Sequence, residues 1–116
     1  MTTFQSSAGN LVPYRVLLTT SNQNIVSAAQ GTRSIAKIWL SNVNAASRTF
    51  DLEIYNGTTQ QYIAFTHQLS GKGGDAAYWE YRDDILPTGS FLRALASADN
   101  SVWIHVLAAL PNKPTG

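Results

Sequence analysis

The sequence predicts an all-β protein: a single β-sandwich, jelly-roll-like, of about eight antiparallel strands with an extended N-terminal arm. Three observations carry this. Short stretches of alternating apolar and polar residues recur along the chain, each closed by a cluster of Gly, Asn, Asp or Pro. No stretch sustains the three-to-four-residue apolar spacing of a helix. The nearest, 85–97, carries Leu86, Leu92 and Leu95 but is interrupted by Pro87 and Gly89. The chain has 116 residues with no internal repeat and no linker, which suits one domain around one core.

Taken in order, residues 1–13 form the arm. Ser6-Ser7-Ala8-Gly9-Asn10 has no periodicity, and such a segment orders only when something holds it. The sandwich domain covers 14–110, with strands expected at 14–19, 24–29, 34–42, 48–55, 61–66, 76–82, 91–97 and 102–109, each of ordinary strand length. The clearest alternation runs through 49–55, where Phe50, Leu52 and Ile54 share one side. Thr49, Asp51, Glu53 and Tyr55 take the other side, which should be wet.

The inward set of the third strand is read as Ala36, Ile38 and Leu40, and that of the last strand as Val102, Ile104 and Val106. Trp39, Trp103 and His105 then point outward and need a partner or a covering loop. Asn56-Gly57 suits a tight hairpin turn, Ser70-Gly71-Lys72-Gly73-Gly74-Asp75 a longer flexible loop, and Pro87-Thr88-Gly89-Ser90 a β-turn. Ala98-Asp99-Asn100 is expected to close a final hairpin. The tail 111–116 leaves the sheet, because Pro111 and Pro114 each lack a ladder donor.

Composition narrows the function classes. Charged residues make up 13%, against about 25% in a typical soluble domain. Such a neutral polar skin suits a protein packed against neighbours. The net charge is +1 and the Lys and Arg residues are scattered, so no phosphate-tracking patch is visible and nucleic acid is not an expected partner. Uncharged stretches are strand-length, too short for a membrane helix, and Met1-Thr2-Thr3-Phe4 does not begin a Sec-type signal, so no membrane association is expected. Cys is absent.

Candidate chemistry is sparse. The two histidines, His67 and His105, fall on separate strands, and no Gly-x-Ser-x-Gly elbow accompanies them, so no enzyme is expected. Asp83-Asp84 is the best carboxylate pair, yet neighbouring strand residues point to opposite faces. Asp84 is therefore read as ending its strand by bonding backbone amides rather than as holding Ca²⁺. Gly71-Lys72-Gly73-Gly74 lacks the rest of a phosphate-binding loop and is read as a hairpin tip. No metal or cofactor is expected. Aromatics are the one enriched group: Trp39, Trp79, Trp103, Tyr62, Tyr78 and Tyr81. They can fill the core, bind protein or stack on sugar rings.

The order of residues resembles small β-sandwich virion proteins of tailed bacteriophages. The likeness is carried by Tyr14-Arg15-Val16-Leu17-Leu18-Thr19-Thr20-Ser21, Ile25-Val26-Ser27-Ala28, the segment 34–42 and Asn44-Ala45-Ala46-Ser47-Arg48-Thr49-Phe50-Asp51-Leu52. Two later segments extend it: Ile85-Leu86-Pro87-Thr88-Gly89-Ser90-Phe91-Leu92-Arg93-Ala94 and Ser101-Val102-Trp103-Ile104-His105-Val106. The chain departs from the family's usual turns at Ala29-Gln30-Gly31-Thr32 and Gly89-Ser90.

The resemblance implies a structural protein of the virion, made in the host bacterial cytoplasm. It implies a decoration or cement subunit that binds between major capsid subunits, commonly as a homotrimer. A carbohydrate- or receptor-binding module of a tail fibre or spike, or a neck or tail adaptor of the same fold, are the alternatives. The residues expected to anchor contacts are Phe4, Trp39, Tyr78, Trp103 and His105.

Overall fold

The structure, a computed structural model, describes residues 11–110. Eight strands run in chain order: β1 (Leu11–Leu17), β2 (Gln23–Ser27), β3 (Arg33–Asn42), β4 (Arg48–Tyr55), β5 (Gln60–Leu69), β6 (Tyr78–Leu86), β7 (Phe91–Ala96) and β8 (Val102–Ala109). They form two four-stranded antiparallel sheets, β1-β8-β3-β6 and β2-β7-β4-β5. This is the double-sheet, eight-stranded arrangement of a jelly roll, as expected from the sequence.

Among the described residues only β4 and β5 are joined within one sheet; every other connection crosses the sandwich. The turn Ala98-Asp99-Asn100 therefore leads from one sheet to the other and does not close a hairpin. The loop after β5 also crosses between sheets rather than tipping a hairpin. Asn100 sits in the left-handed region at φ 60°, as a turn residue can, but turn residues do not reveal whether the chain returns to its own sheet.

Between the sheets lies one core, with Phe50, Leu52, Ile38, Leu40, Leu92, Ile104 and Val106 fully buried. The alternation within β4 and β8 thus places its apolar side as expected. β3 departs from it. The register against β8 shifts between Ile35 and Lys37, so Ile35 and Ile38 both face the core and Ala36 loses the inward place the sequence suggested. Trp79, Tyr81 and Tyr14 pack against the edges of this core, and Trp79 lies 5.2 Å from Phe50 between ring centroids.

β1 starts at Leu11, three residues before the expected Tyr14, and Leu11, Val12 and Pro13 pair with Ala109, Ala108 and Leu107. Pro13 is tolerated because β1 is an edge strand. Arg33 closes this end of the sandwich with only 5% of its surface exposed. Its Nε donates to the Ala109 carbonyl (2.8 Å), Nη1 to the Ser27 carbonyl (3.1 Å) and Nη2 to the Tyr14 hydroxyl (2.5 Å). One buried guanidinium so ties β3 to strands of both sheets.

The opposite edges, β5 and β6, are both irregular. β5 carries two register shifts against β4, Thr66 sits at φ 47°, and Asp83 in β6 sits at φ 57°. Such interruptions blunt the exposed edges against pairing with another chain.

Candidate functional site

Strand register brings four of the five sequence-selected contact residues onto one surface, the outer face of the sheet β1-β8-β3-β6. Arg15, His105, Trp39 and Glu80 align across the four strands, and Leu17, Trp103, Ser41 and Tyr78 form the next row. The fifth selected residue, Phe4, lies outside the described residues. Odd-numbered positions of β8 face outward because Val102, Ile104 and Val106 are held inward.

These side chains cover one another in part. The imidazole of His105 stacks on the Trp39 indole, centroids 4.9 Å apart and planes within 5°, and Trp103 lies 6.2 Å from His105. Lys37 places its Nζ 4.8 Å from the Trp39 ring centroid, a cation–π contact. The Lys37 ammonium also lies 3.6 Å from Glu80, which accepts from Tyr78 Oη at 3.0 Å and from Arg82 Nε. Hydrogen bonds from Arg82 and Tyr78 hold the Glu80 carboxyl below its ordinary pKa. Tyr78 is 48% exposed and tops the patch.

His105 is poorly placed for acid–base work. Its Nδ1 is buried without a hydrogen-bond partner among the described residues, and burial, with the Arg15 charge adding, lowers its pKa. His67 stands on the other sheet, with its ring 5.3 Å from Phe50 and 5.6 Å from Trp79. The two histidines do not converge. Asp84 accepts from the Ile85 amide at 2.7 Å and from Tyr81 Oη at 2.8 Å, but it does not end its strand as expected: β6 runs on to Leu86, with Asp84 paired to Ile35 in the ladder. No group of three His, Cys, Asp or Glu residues arranged to hold a metal occurs among the described residues. No helix among them is long and apolar enough to cross a membrane.

The outer face of the second sheet overturns one expectation. Glu53, assigned to a wet face, is 1% exposed. Arg93 reaches it from the neighbouring strand through Nε at 2.8 Å and Nη2 at 2.5 Å, while Gln60 donates from the other side at 3.3 Å. The Arg93 guanidinium also stacks 3.8 Å from the Tyr55 ring. Alternation put Glu53 on the outer face correctly, but Arg93, Tyr55 and Tyr62 roof it over. The carboxylate survives burial because it is paired and hydrogen-bonded. Nearby, Tyr62 and the 64% exposed Phe65 pack edge to face at 4.8 Å.

Sequence reasoning missed a groove at the end of the sandwich where the β4–β5 and β6–β7 turns meet. Its larger part, about 370 Å³, has Gln61, Tyr62, Tyr81, Asp84 and Ile85 among its walls. A smaller part of about 170 Å³ shares Ile54, Gln61 and Pro87 with it and adds Asn56, Thr59, Thr88 and Ser90.

No family model matches the chain, and no curated protein matches it in sequence. Solved structures do match in fold. A chain of the acidic stable capsid structure of Helicobacter pylori bacteriophage KHP30 superposes with a TM-score of 0.57 at 16% identity, covering 88% of this chain and 87% of that one. A pentameric capsid protein isolated from metagenomic phage sequences gives 0.52 at 19% identity over 86% of this chain and 61% of its own, so the present chain spans about three fifths of that neighbour. The nucleoplasmin-like N-terminal domain of Drosophila FKBP39 gives 0.52 at 8% identity, covering 91% and 96%. At these identities the shared property is the fold.

Proposed function

We propose that this chain is a non-enzymatic structural protein of a bacteriophage virion, a capsid decoration or cement subunit that binds between major capsid subunits. The observation that carries this reading is the joint one of fold and surface. The chain matches nearly the full length of a chain in a phage capsid structure, and Trp39, Trp103, His105 and Tyr78 lie together on one sheet face. Because a nucleoplasmin-like domain has the same fold, fold alone does not separate the readings. The virion-like segments of the sequence and its 13% charged residues tip the balance toward an assembled shell.

Physically, the sheet face is suited to the work. Aromatic rings already ordered by stacking lose little side-chain freedom on docking, and a standard contact buries about 800 Å² per partner. Repetition around a symmetry axis then multiplies a modest affinity. The arm with Phe4 supplies a second attachment. The subunit self-associates; the trimer expected from the sequence finds no support among the structural neighbours, one of which is described as pentameric.

Cryo-microscopy of the particle that carries this protein tests the proposal. Density for the sandwich on the outer shell, seated on capsid subunits through the Trp39 face, is the expected result. Density confined to the neck or a tail fibre would replace the decoration role with one of the alternatives.

A further inference from the structure

We infer that the groove between the β4–β5 and β6–β7 turns is a binding site for a neutral oligosaccharide. The inference does not rest on the virion reading. It rests on which groups the fold gathers there and on how they are held.

Among the described residues the polar walls are amides and hydroxyls with a single carboxylate. Gln61 stands between the two parts of the groove and offers both a donor and an acceptor. Asp84 is an acceptor already oriented by the Tyr81 hydroxyl at 2.8 Å and the Ile85 amide at 2.7 Å. Asn56 has its Oδ1 occupied by the amides of Thr58 (2.9 Å) and Thr59 (2.7 Å), which fixes the side chain and leaves its NH₂ as a donor. Groups locked before binding lose little entropy when a ligand arrives. Paired donors and acceptors of this kind suit vicinal hydroxyls.

The apolar walls complete the match. Ile85 is 57% exposed and Tyr62 43% exposed at the rim, surfaces on which the C–H face of a pyranose packs. The larger part, about 370 Å³, falls within the roughly 300–1,000 Å³ usual for small-molecule sites. The adjoining part extends it beyond a single ring.

Other ligand classes fit less well. Among the described residues neither part is lined by Lys or Arg, and Asp84 contributes a negative charge, so phosphates and acidic sugars are disfavoured. An extended peptide would pair with a straight strand edge. The two strands bordering the groove, β5 and β6, carry register shifts or left-handed residues at Thr66 and Asp83. On the outer face with Trp39 and Trp103, the Glu80 carboxylate is already engaged by Arg82, Tyr78 and Lys37.

The test is a titration of the full chain, followed by amide chemical shifts, with chitotriose, maltotriose and N-acetyllactosamine, preceded by a glycan array that widens the panel. Saturable shifts at Asn56, Gln61 and Ile85 with at least one neutral glycan are expected. Gln61→Ala and Asp84→Asn should each weaken binding at least about tenfold, read as Kd. Val43→Thr, at the far end of the sandwich, should leave it unchanged. Gln61 is exposed and Asp84→Asn is isosteric, so both variants are expected to keep the wild-type circular dichroism. The inference is overturned by the absence of shifts up to about 5 mM of every array-positive or panel glycan. Shifts confined to the Trp39 face, or a response at these amides to uncharged peptides alone, overturn it equally.

Discussion

His105 and Trp39, on adjacent strands of one sheet, lie ring upon ring 4.9 Å apart with their planes only 5° from parallel. The stack is approached by Lys37 from β3, by Arg15 from β1 and by Trp103 on the same strand, with Glu80 next in the row. A neutral imidazole suits this setting better than a charged one, since two cations border it and its Nδ1 is buried.

A pH dependence follows. Burial, then Arg15, lowers the His105 pKa below 6.5 in the folded state, so the unfolded chain binds the extra proton first as pH falls. The stabilising contribution is complete above about pH 6.5 and is lost progressively below it, down to the lowered folded value. Melting temperature should decline from about pH 7 toward pH 5, and His105→Gln should flatten that part of the curve. The lowered Glu80 carboxyl acts in the same direction but only below its ordinary 4.5, so the two windows separate. An unchanged slope in the variant would refute the assignment.

Arg93→Ala strands a carboxylate that is 1% exposed. Leaving a buried charge without its partner costs about 3 kcal/mol, readable as a lower urea midpoint. Adding Glu53→Gln should recover much of that loss, because the orphaned charge is then gone. If the single and double variants unfold alike, Glu53 is not held by Arg93 in solution.

Gly71 marks the place where the β5–β6 loop presses on the β3–β4 connection. A Cβ there would stand 2.0 Å from the Ala45 carbonyl oxygen, which is backbone and cannot swing aside. Gly71→Ala should therefore cost about 2 kcal/mol or more, as overpacking does. Gly73, at φ 89° in open space, should lose only about 1 kcal/mol on the same change. Equal effects in a denaturation series would show that the loop relaxes freely.

Trp39→Ala combined with Trp103→Ala should leave the sandwich folded, since neither indole belongs to the buried core. On the function proposed above, particle attachment or self-association should weaken by about 2 kcal/mol or more, the usual loss when an aromatic anchor is truncated. Sedimentation velocity and a capsid-binding assay read the two effects separately. Wild-type behaviour in both would move the contact surface elsewhere.

How far the residues alone lead is clear from particular elements. β4 and β8 begin and end where apolar alternation begins and ends, because a pleated strand with one buried side imposes a two-residue period on its own sequence. The same local rule correctly turned Trp39, Trp103 and His105 outward and Phe50, Leu52 and Ile104 inward. Turn residues such as Asn56-Gly57 were equally legible, with Gly57 at φ 95°.

Tertiary pairing decided the rest. Whether β8 follows β7 in the same sheet, whether Ala36 or Ile35 faces the core, and whether Glu53 meets water all depend on register with strands far away in the chain. The groove is of this kind, since Gln61 of β5 and Asp84 of β6 line one hollow although their strands belong to different sheets. Periodicity records which side of a strand is buried; it carries no information about which distant strand does the burying, because that choice is made by the summed packing of the two sheets.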